Sequence, residues 1–179
     1  MITNNVIHQE FCINSQNQPS FVTKRLHIKP LSHRHASALM AILSHPLVCK
    51  YNDIPTFNDL ADFRAYLQND LALWYQHEGG RWCIEYNKTI IGSCGVYNYN
   101  NQLKHAEIGF ELHPDYWHLG FMNEALVAVL DYYRSQAAIP LVTNIIARCD
   151  SENIASLTLL EKFKFTKIDN EEITYNLKL

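Results

Sequence analysis

The stretch His105–Val129, HAEIGFELHPDYWHLGFMNEALVAV, restricts the fold more than any other part of the chain. Ile108, Phe110 and Leu112 alternate with Glu107, Gly109 and Glu111, the two-residue period of a strand, and Pro114 ends it. Past Trp117, His118 and Leu119 stands Gly120. Leu126, Val127, Val129 and Leu130 then recur at helical spacing, with Glu124 in the first turn, where a carboxylate suits the positive end of the helix. The order strand, glycine turn, helix aims first-turn N–H groups past the strand end, and a phosphate is the ligand best matched to them. One glycine is also all that an ordinary strand-to-helix connection needs, so the rest of the chain has to decide.

Residues 1 to 20 set Val6, Ile7, Phe11 and Ile13 among Asn, Gln and Ser, and read either as a loose arm or as a short extra strand. Leu26, Ile28 and Pro30-Leu31 predict a first strand. Ser32 is placed to cap a helix with the stripe Ala36, Leu39, Met40 and Leu43, and Pro46 forbids its continuation. Thr56, with Asp59 three residues on, predicts a capping box for a second helix that buries Leu60, Phe63, Leu67, Leu71 and Trp74. Gly79-Gly80 breaks the helical pattern. RWCIEY and TIIGSCGVYNY predict two strands joined at Asn87-Lys88, with Gly92 and Gly95 marking a bulge or a close backbone approach.

The polar tip YNYNNQLKH returns the chain into the His105 strand, completing an antiparallel meander of the second, third and fourth strands. The helix after Gly120 is expected to run to about Gln136, LVTNIIARC to form a fifth strand, and ENIASLTLLEKF a helix. FTKIDNEEITYNLKL reads as two short strands around Asp169-Asn170. A helix between the fourth and fifth strands lets them run parallel through a right-handed crossover. The expectation is an α+β fold: one domain over residues 21–179, a mixed, mostly antiparallel sheet with a splayed parallel pair, and helices on both faces.

At 179 residues and 47% hydrophobic content the chain can bury one sizeable core. A net charge of −3 with no Lys/Arg cluster argues against a nucleic-acid surface. The five cysteines, at positions 12, 49, 83, 94 and 149, share no C-x-x-C spacing and read as reduced thiols. No apolar run is long enough to span a bilayer and the polar start lacks the features of a signal peptide, so a cytoplasmic protein without a membrane partner is expected. His33, His35, His113 and His118 lack a supporting carboxylate pattern and read as surface and loop residues, with no metal expected.

Two separated tracts carry a resemblance. EIGFELHPDYW running into a turn and a helix that opens Glu-Ala-Leu, and ENIASLTLLEKFKF with its Asn-x-x-Ser, Leu-Glu-Lys and closing Phe, resemble the acyl-CoA signature of the GNAT acetyltransferase superfamily, in its RimJ/RimL-like branch. Thr23, Arg25 and Leu26 match that group's Thr-x-Arg-Leu opening, so the likeness covers residues 21 to 179. It implies an acetyl-CoA-dependent N-acetyltransferase that passes the acetyl group directly to a primary amine.

By that likeness, pantetheine would pair with the strand edge near Phe110 and Leu112. Its pyrophosphate would sit on the turn of Trp117, His118, Leu119, Gly120, Phe121, Met122 and Asn123, and Asn153 would bond the pantetheine or cap its helix, or do both. Ser156 matches the residue whose hydroxyl approaches the CoA sulfur; its plainer role is to bond the carbonyl four residues back. Leu160 stands where some relatives carry a Tyr. Glu107 reads either as a base relaying a proton through water or as a structural partner of a neighbouring strand.

Two departures stand out. Where many relatives have glycine, a basic residue, glycine and a small residue, this chain has His118, Leu119, Gly120 and Met122, losing a glycine and a possible cation for the phosphate. Phe163-Lys164 replaces Leu-Gly before the final Phe, which predicts a longer or strained turn. The first departure leaves a second function open, a non-catalytic acyl-CoA-binding regulatory or interaction domain. The acceptor stays undetermined among a protein N-terminus, an amino acid, a polyamine and an antibiotic amine, with HPLVCKYNDIP as the expected specificity loop. Monomer and homodimer are both compatible with the sequence.

Overall fold

The structure, a computed structural model, describes residues 18–52, 54–135, 141–168 and 174–179. Eight strands form one sheet in the order β1-β2-β3-β4-β5-β6-β8-β7. They are β1 (Phe21–Val22), β2 (Leu26–Pro30), β3 (Gly80–Tyr86), β4 (Thr89–Asn100), β5 (His105–Leu112), β6 (Asn144–Arg148), β7 (Thr166–Lys167) and β8 (Thr174–Lys178). Every pairing is antiparallel except β5 with β6. The α-helices are α1 (Ala36–Leu43), α2 (Pro46–Cys49), α3 (Leu60–Gln76), α4 (Phe121–Arg134) and α5 (Ile154–Lys162). This is the mixed α+β sheet that the alternation and the helix between the fourth and fifth predicted strands imply.

Apolar residues divide between the two faces of the sheet. Ala106, Ile108 and Leu112 of β5 join Leu126, Val129 and Leu130 of α4 in one cluster, with Leu160 of α5. Val127 faces solvent at 43% exposure and is no part of that stripe. On the other face Leu39 and Leu43 of α1 and Phe63 and Leu67 of α3 pack with Cys83 of β3. The polar residues of β5 therefore look toward α3 while its apolar residues look toward α4, which gives the strand two chemically different sides.

The β3–β4 hairpin turns at Asn87 and Lys88, both left-handed with φ of 47° and 65°, the geometry of a two-residue turn that matches strand twist. A register shift after Ile84 leaves Ile91 as the extra residue of a bulge. Beside it, a Cβ on Gly92 would run into the Glu111 carbonyl oxygen, so β4 and β5 approach there only because Gly92 has none.

Several local expectations are corrected. The chain makes an additional edge strand at Phe21–Val22 before the first predicted one. Residues 1–17 lie outside the described residues, but Gln18 Nε2 donates to the Arg81 carbonyl (2.9 Å) and Pro19 accepts from the Trp82 indole (2.7 Å). Ser32 caps no helix: its hydroxyl meets His35 Nδ1 at 3.3 Å and a 3-10 turn precedes α1. Pro46 opens α2 as its first residue, since a missing N–H costs nothing there.

At α3 the cap is Asp59, not Thr56. Its carboxylate accepts from the N–H groups of Ala61 (2.7 Å) and Asp62 (3.0 Å), while Asp62 reaches back to Asn58. The same helix closes on left-handed His77 (φ 58°), ahead of Gly79. His35 is buried, its Nδ1 3.2 Å from Cys83 Sγ, and is not a surface histidine; burial lowers its pKa. At the end of α5, Lys164 takes the left-handed position (φ 64°) that glycine would fill. Its N–H bonds Glu161 and that of Phe165 bonds Leu160, so the turn is strained but not lengthened. The predicted end of α4 at Gln136 and the turn at Asp169-Asn170 fall outside the described residues.

Candidate active site

The parallel pairing of β5 and β6 covers His105, Ala106 and Glu107 only, and ends at Glu107 opposite Ile146. On its other side β5 stays paired with β4 as far as Leu112. Among the described residues, Ile108–Leu112 have no strand on the β6 side, an open edge of roughly 16 Å. Backbone groups on such an edge need partners, and an extended amide chain can provide them.

Beyond this edge comes the turn. Trp117 closes it from inside, its indole donating to the Leu112 carbonyl (2.7 Å) while the ring packs against both core clusters. Of the residues expected to hold the donor, His118, Leu119 and Gly120 are exposed, Leu112, Phe121 and Met122 are buried, and Phe110, Trp117, Asn123 and Asn153 are half-buried. The buried ones can offer only backbone groups. Gly120 (φ 76°) is the residue before α4 and has no side chain to cover the helix end. His118 is also left-handed (φ 59°), at the position where the resemblance puts a second glycine.

The turn is braced from β2. Arg25 Nε lies 2.7 Å from Glu124 Oε2, its Nη1 donates to the Leu119 carbonyl (2.9 Å), and its guanidinium stacks 4.2 Å from the centre of the Phe121 ring. The Arg25 N–H and the Thr23 hydroxyl both donate to Glu124 Oε1, at 2.7 and 2.6 Å. Burial works against the Glu124 charge, but the bonds from Thr23 and Arg25 outweigh it and hold its carboxyl below the usual range.

On the α3 face of β5 a buried charge cluster forms. Arg81 of β3 lies between Asp70 of α3 (2.7 Å) and Glu111 (2.6 Å), and the Ser93 hydroxyl bonds Glu111. Burial opposes the Arg81 charge, and the Glu111 and Asp70 carboxylates outweigh it. Tyr97 is aligned with Glu107 across β4 and β5, and its hydroxyl lies over Gly109, 2.6 Å from where a Cβ would stand. Burial raises the Tyr97 pKa against the pull of Arg81, and the Glu107 and Glu111 carboxylates add to the rise. Glu107 itself meets Arg148 of β6 at 3.2 Å.

Past β6, Asn153 Oδ1 accepts from the Ser156 N–H (3.1 Å) and starts α5. Ser156 lies beside the Cys149 thiol, whose pKa is raised by burial while Ser156 acts against the rise. Ser156 and Cys149 thus stand together at the mouth of the split between β5 and β6. The segment expected to set specificity reaches both lips of this mouth: the His45 ring lies 5.4 Å from His113, and Lys50 Nζ lies 3.8 Å from Glu152.

The structure brings Glu107 together with Arg148 and Glu111 with Arg81. Neither arginine nor Tyr97 carries a local motif that marks it as part of a site, and the Thr-x-Arg-Leu opening marks Arg25 only as the start of a strand. Only the strand register, which puts Tyr97 opposite Glu107, could have pointed to one of them. The four described cysteines are free thiols, and no group of three or more His, Cys, Asp or Glu side chains among the described residues is arranged to hold a metal. No helix among those residues is long and apolar enough to cross a membrane.

A half-open parallel pair, with a glycine turn and helix N-terminus beyond one strand and a buried charge cluster on the other face, agrees with the frame that the acyltransferase resemblance implies. A model of the acetyltransferase (GNAT) domain matches residues 25–166, and the chain belongs to this family. The uncharacterised N-acetyltransferase p20 of Bacillus licheniformis is 32% identical over 149 residues, 81% of each chain. Among solved structures, RimL, the ribosomal L7/L12 α-N-protein acetyltransferase, superposes with a TM-score of 0.77 at 17% identity, covering 90% of this chain and 96% of its own. The microcin C7 self-immunity acetyltransferase MccE, in complex with acetyl-CoA and AMP, does so at 0.73 and 16%, covering 87% and 93%.

Proposed function

We propose that the protein transfers the acetyl group of acetyl-CoA directly to the α-amine of a peptide or protein N-terminus, in the manner of the RimJ/RimL branch. The observation that carries the donor half is the early end of the β5–β6 pairing at Glu107, with β5 running on to Leu112 toward the exposed turn at Gly120. The pantetheine lies along that edge beside Phe110 and Leu112, and its pyrophosphate on the amides from His118 to Asn123. Asn153 and Ser156 face it from α5.

The amine nitrogen attacks the thioester carbonyl, the C–N bond forms, and the C–S bond breaks with its electron pair passing to sulfur. Ser156 donates a hydrogen bond to the departing thiolate, which is protonated there, while the proton of the attacking amine leaves to water. Glu107, held by Arg148 of β6, ties the two strands together and is not required for that relay.

The acceptor half rests on charge. Both β5 carboxylates are tied into ion pairs with arginines, and the reading asks for no strong base. An α-amine with a pKa of about 7.7–8.0 is already partly neutral near pH 7, whereas a lysine amine near 10.4 is not. RimL acts on such an α-amine by its name, which agrees with this choice. A cytoplasmic setting follows from such a substrate.

The test is calorimetric titration with acetyl-CoA of the unaltered protein and of Gly120→Asp, followed by turnover on a short peptide with a free N-terminus, the same peptide N-terminally blocked, and free spermidine. Binding that Gly120→Asp abolishes, with turnover on the free peptide only, supports the reading. Acetyl-CoA binding without turnover on any amine would favour a binding domain instead.

A further inference from the structure

The turn sequence lacks the basic residue that would attract a phosphate, and its helix carries a carboxylate, Glu124, in the first turn. Both features count against an anion at that place. We infer that Arg25, just ahead of the distant strand β2, is the positioning residue that makes this turn a donor site: it cancels Glu124 and fixes the direction of the amides. This rests on the reading that CoA occupies the turn.

Three contacts of one guanidinium carry the inference. Nε is paired with Glu124, Nη1 holds the Leu119 carbonyl, and Nη2 lies 3.5 Å from the position a Gly120 Cβ would take, on the turn itself. The Leu119 bond draws that carbonyl toward β2, and the peptide plane turns with it. The next amides can then face outward, as an anion site needs. The Phe121 ring beneath the guanidinium limits its movement.

Glu124 has a second function in this arrangement. It accepts from Thr23, the Arg25 N–H and Arg25 Nε at once, so the opening of β2 is bound to the first turn of α4 through one side chain. Left unpaired, the same carboxylate would lie within the first helical turn and repel a pyrophosphate. The pair is worth having only as a pair.

The experiment measures CoA affinity by calorimetry in four proteins: unaltered, Arg25→Met, Arg25→Lys and Arg25→Met/Glu124→Gln, each with its ligand-free thermal midpoint. Arg25→Met is expected to weaken CoA binding about tenfold or more. Arg25→Lys is expected to fall between, keeping the charge but losing the fork that reaches Leu119 and Glu124 together. The double variant is expected to bind several-fold better than Arg25→Met, because the unpaired carboxylate is gone while the amide oxygen in its place still accepts from Thr23 and the residue 25 N–H.

An Arg25 that only supports the fold predicts that Arg25→Met and the double variant, both folded, bind CoA alike. That result would overturn the inference, as would folded Arg25→Met binding CoA within twofold of the unaltered protein. If Arg25→Met does not fold, Arg25→Lys against Glu124→Gln decides: the inference requires the lysine variant to bind more weakly than the unaltered protein while the charge-removing Glu124→Gln alone does not lose tenfold. Failure of the unaltered protein to bind CoA would overturn the donor-site reading itself, and this inference with it.

Discussion

Arg148 and Glu107 meet at 3.2 Å at the register where β5 and β6 part, so the last paired residue of the parallel ladder is also an ion pair between its two strands. Such a partner gives Glu107 the structural role of tying β5 to β6. Glu107→Gln is expected to lower turnover of an α-amine peptide by less than about threefold, with the rate still rising through the amine's own pKa of about 7.7–8.0. A loss near a hundredfold, the usual scale for a removed general base, would instead make Glu107 the base. Steady-state rates across the neutral range measure this.

Ser156 bonds through its N–H to Asn153, which holds it in the first turn of α5 beside Cys149 at the mouth of the split. Ser156→Ala is expected to reduce kcat about ten- to a hundredfold with the Kd for CoA within twofold, because the hydroxyl acts only as the thiolate forms. Calorimetry on the same preparation separates the two quantities, and equal loss in both would make Ser156 a binding residue.

Gly109 is needed by its neighbour, not by its own backbone. A Cβ there would stand 2.6 Å from the Tyr97 hydroxyl and 3.1 Å from its ring, so Gly109→Ala must push the phenol off β5. A stability loss of about 1–3 kcal/mol is expected, together with a raised KM for the peptide. Removing the hydroxyl with Tyr97→Phe should relieve part of the clash, so the double variant is expected to be more stable than the sum of the two single changes. Strict additivity in chemical denaturation would show that the two residues do not touch.

Arg81 is surrounded by two carboxylates, and its side chain is only 13% exposed. Arg81→Met would leave Asp70 and Glu111 facing each other with no cation between them, at a cost of about 3–5 kcal/mol. Denaturant unfolding at neutral pH measures it, and a loss under about 1 kcal/mol would mean that the cluster is solvated.

The strand alternation of Ile108, Phe110 and Leu112 and the glycine before α4 were legible because each is a local pattern with a local cause. So was the parallel pair, which follows from a helix placed between two strands. Arg81 and Arg148 were not legible, since each acts on a residue tens of positions away and isolated arginines are what any surface carries. Arg25 was visible as part of the Thr-x-Arg-Leu opening, but its pairing with Glu124 depends on the start of β2 lying beside α4, which no spacing announces. The buried position of His35 was missed for the same reason: its partner, Cys83, is on another strand.

Helix caps show the limit at its smallest scale. Thr56 and Asp59 have the spacing of a capping box, and so, one helical turn later, do Asp59 and Asp62. The two frames differ only in which residue keeps an extended backbone, and the structure gives that conformation to Asp59 (φ −154°, ψ −178°), with Leu60 the first helical residue. Asp59 then satisfies two orphan N–H groups, and its charge faces the positive end of the helix. Asp59→Ala is therefore expected to cost about 1 kcal/mol in denaturant unfolding, and Thr56→Ala to stay within about 0.5 kcal/mol. The reverse ranking would move the start of α3 back by one turn and restore Thr56 as the cap.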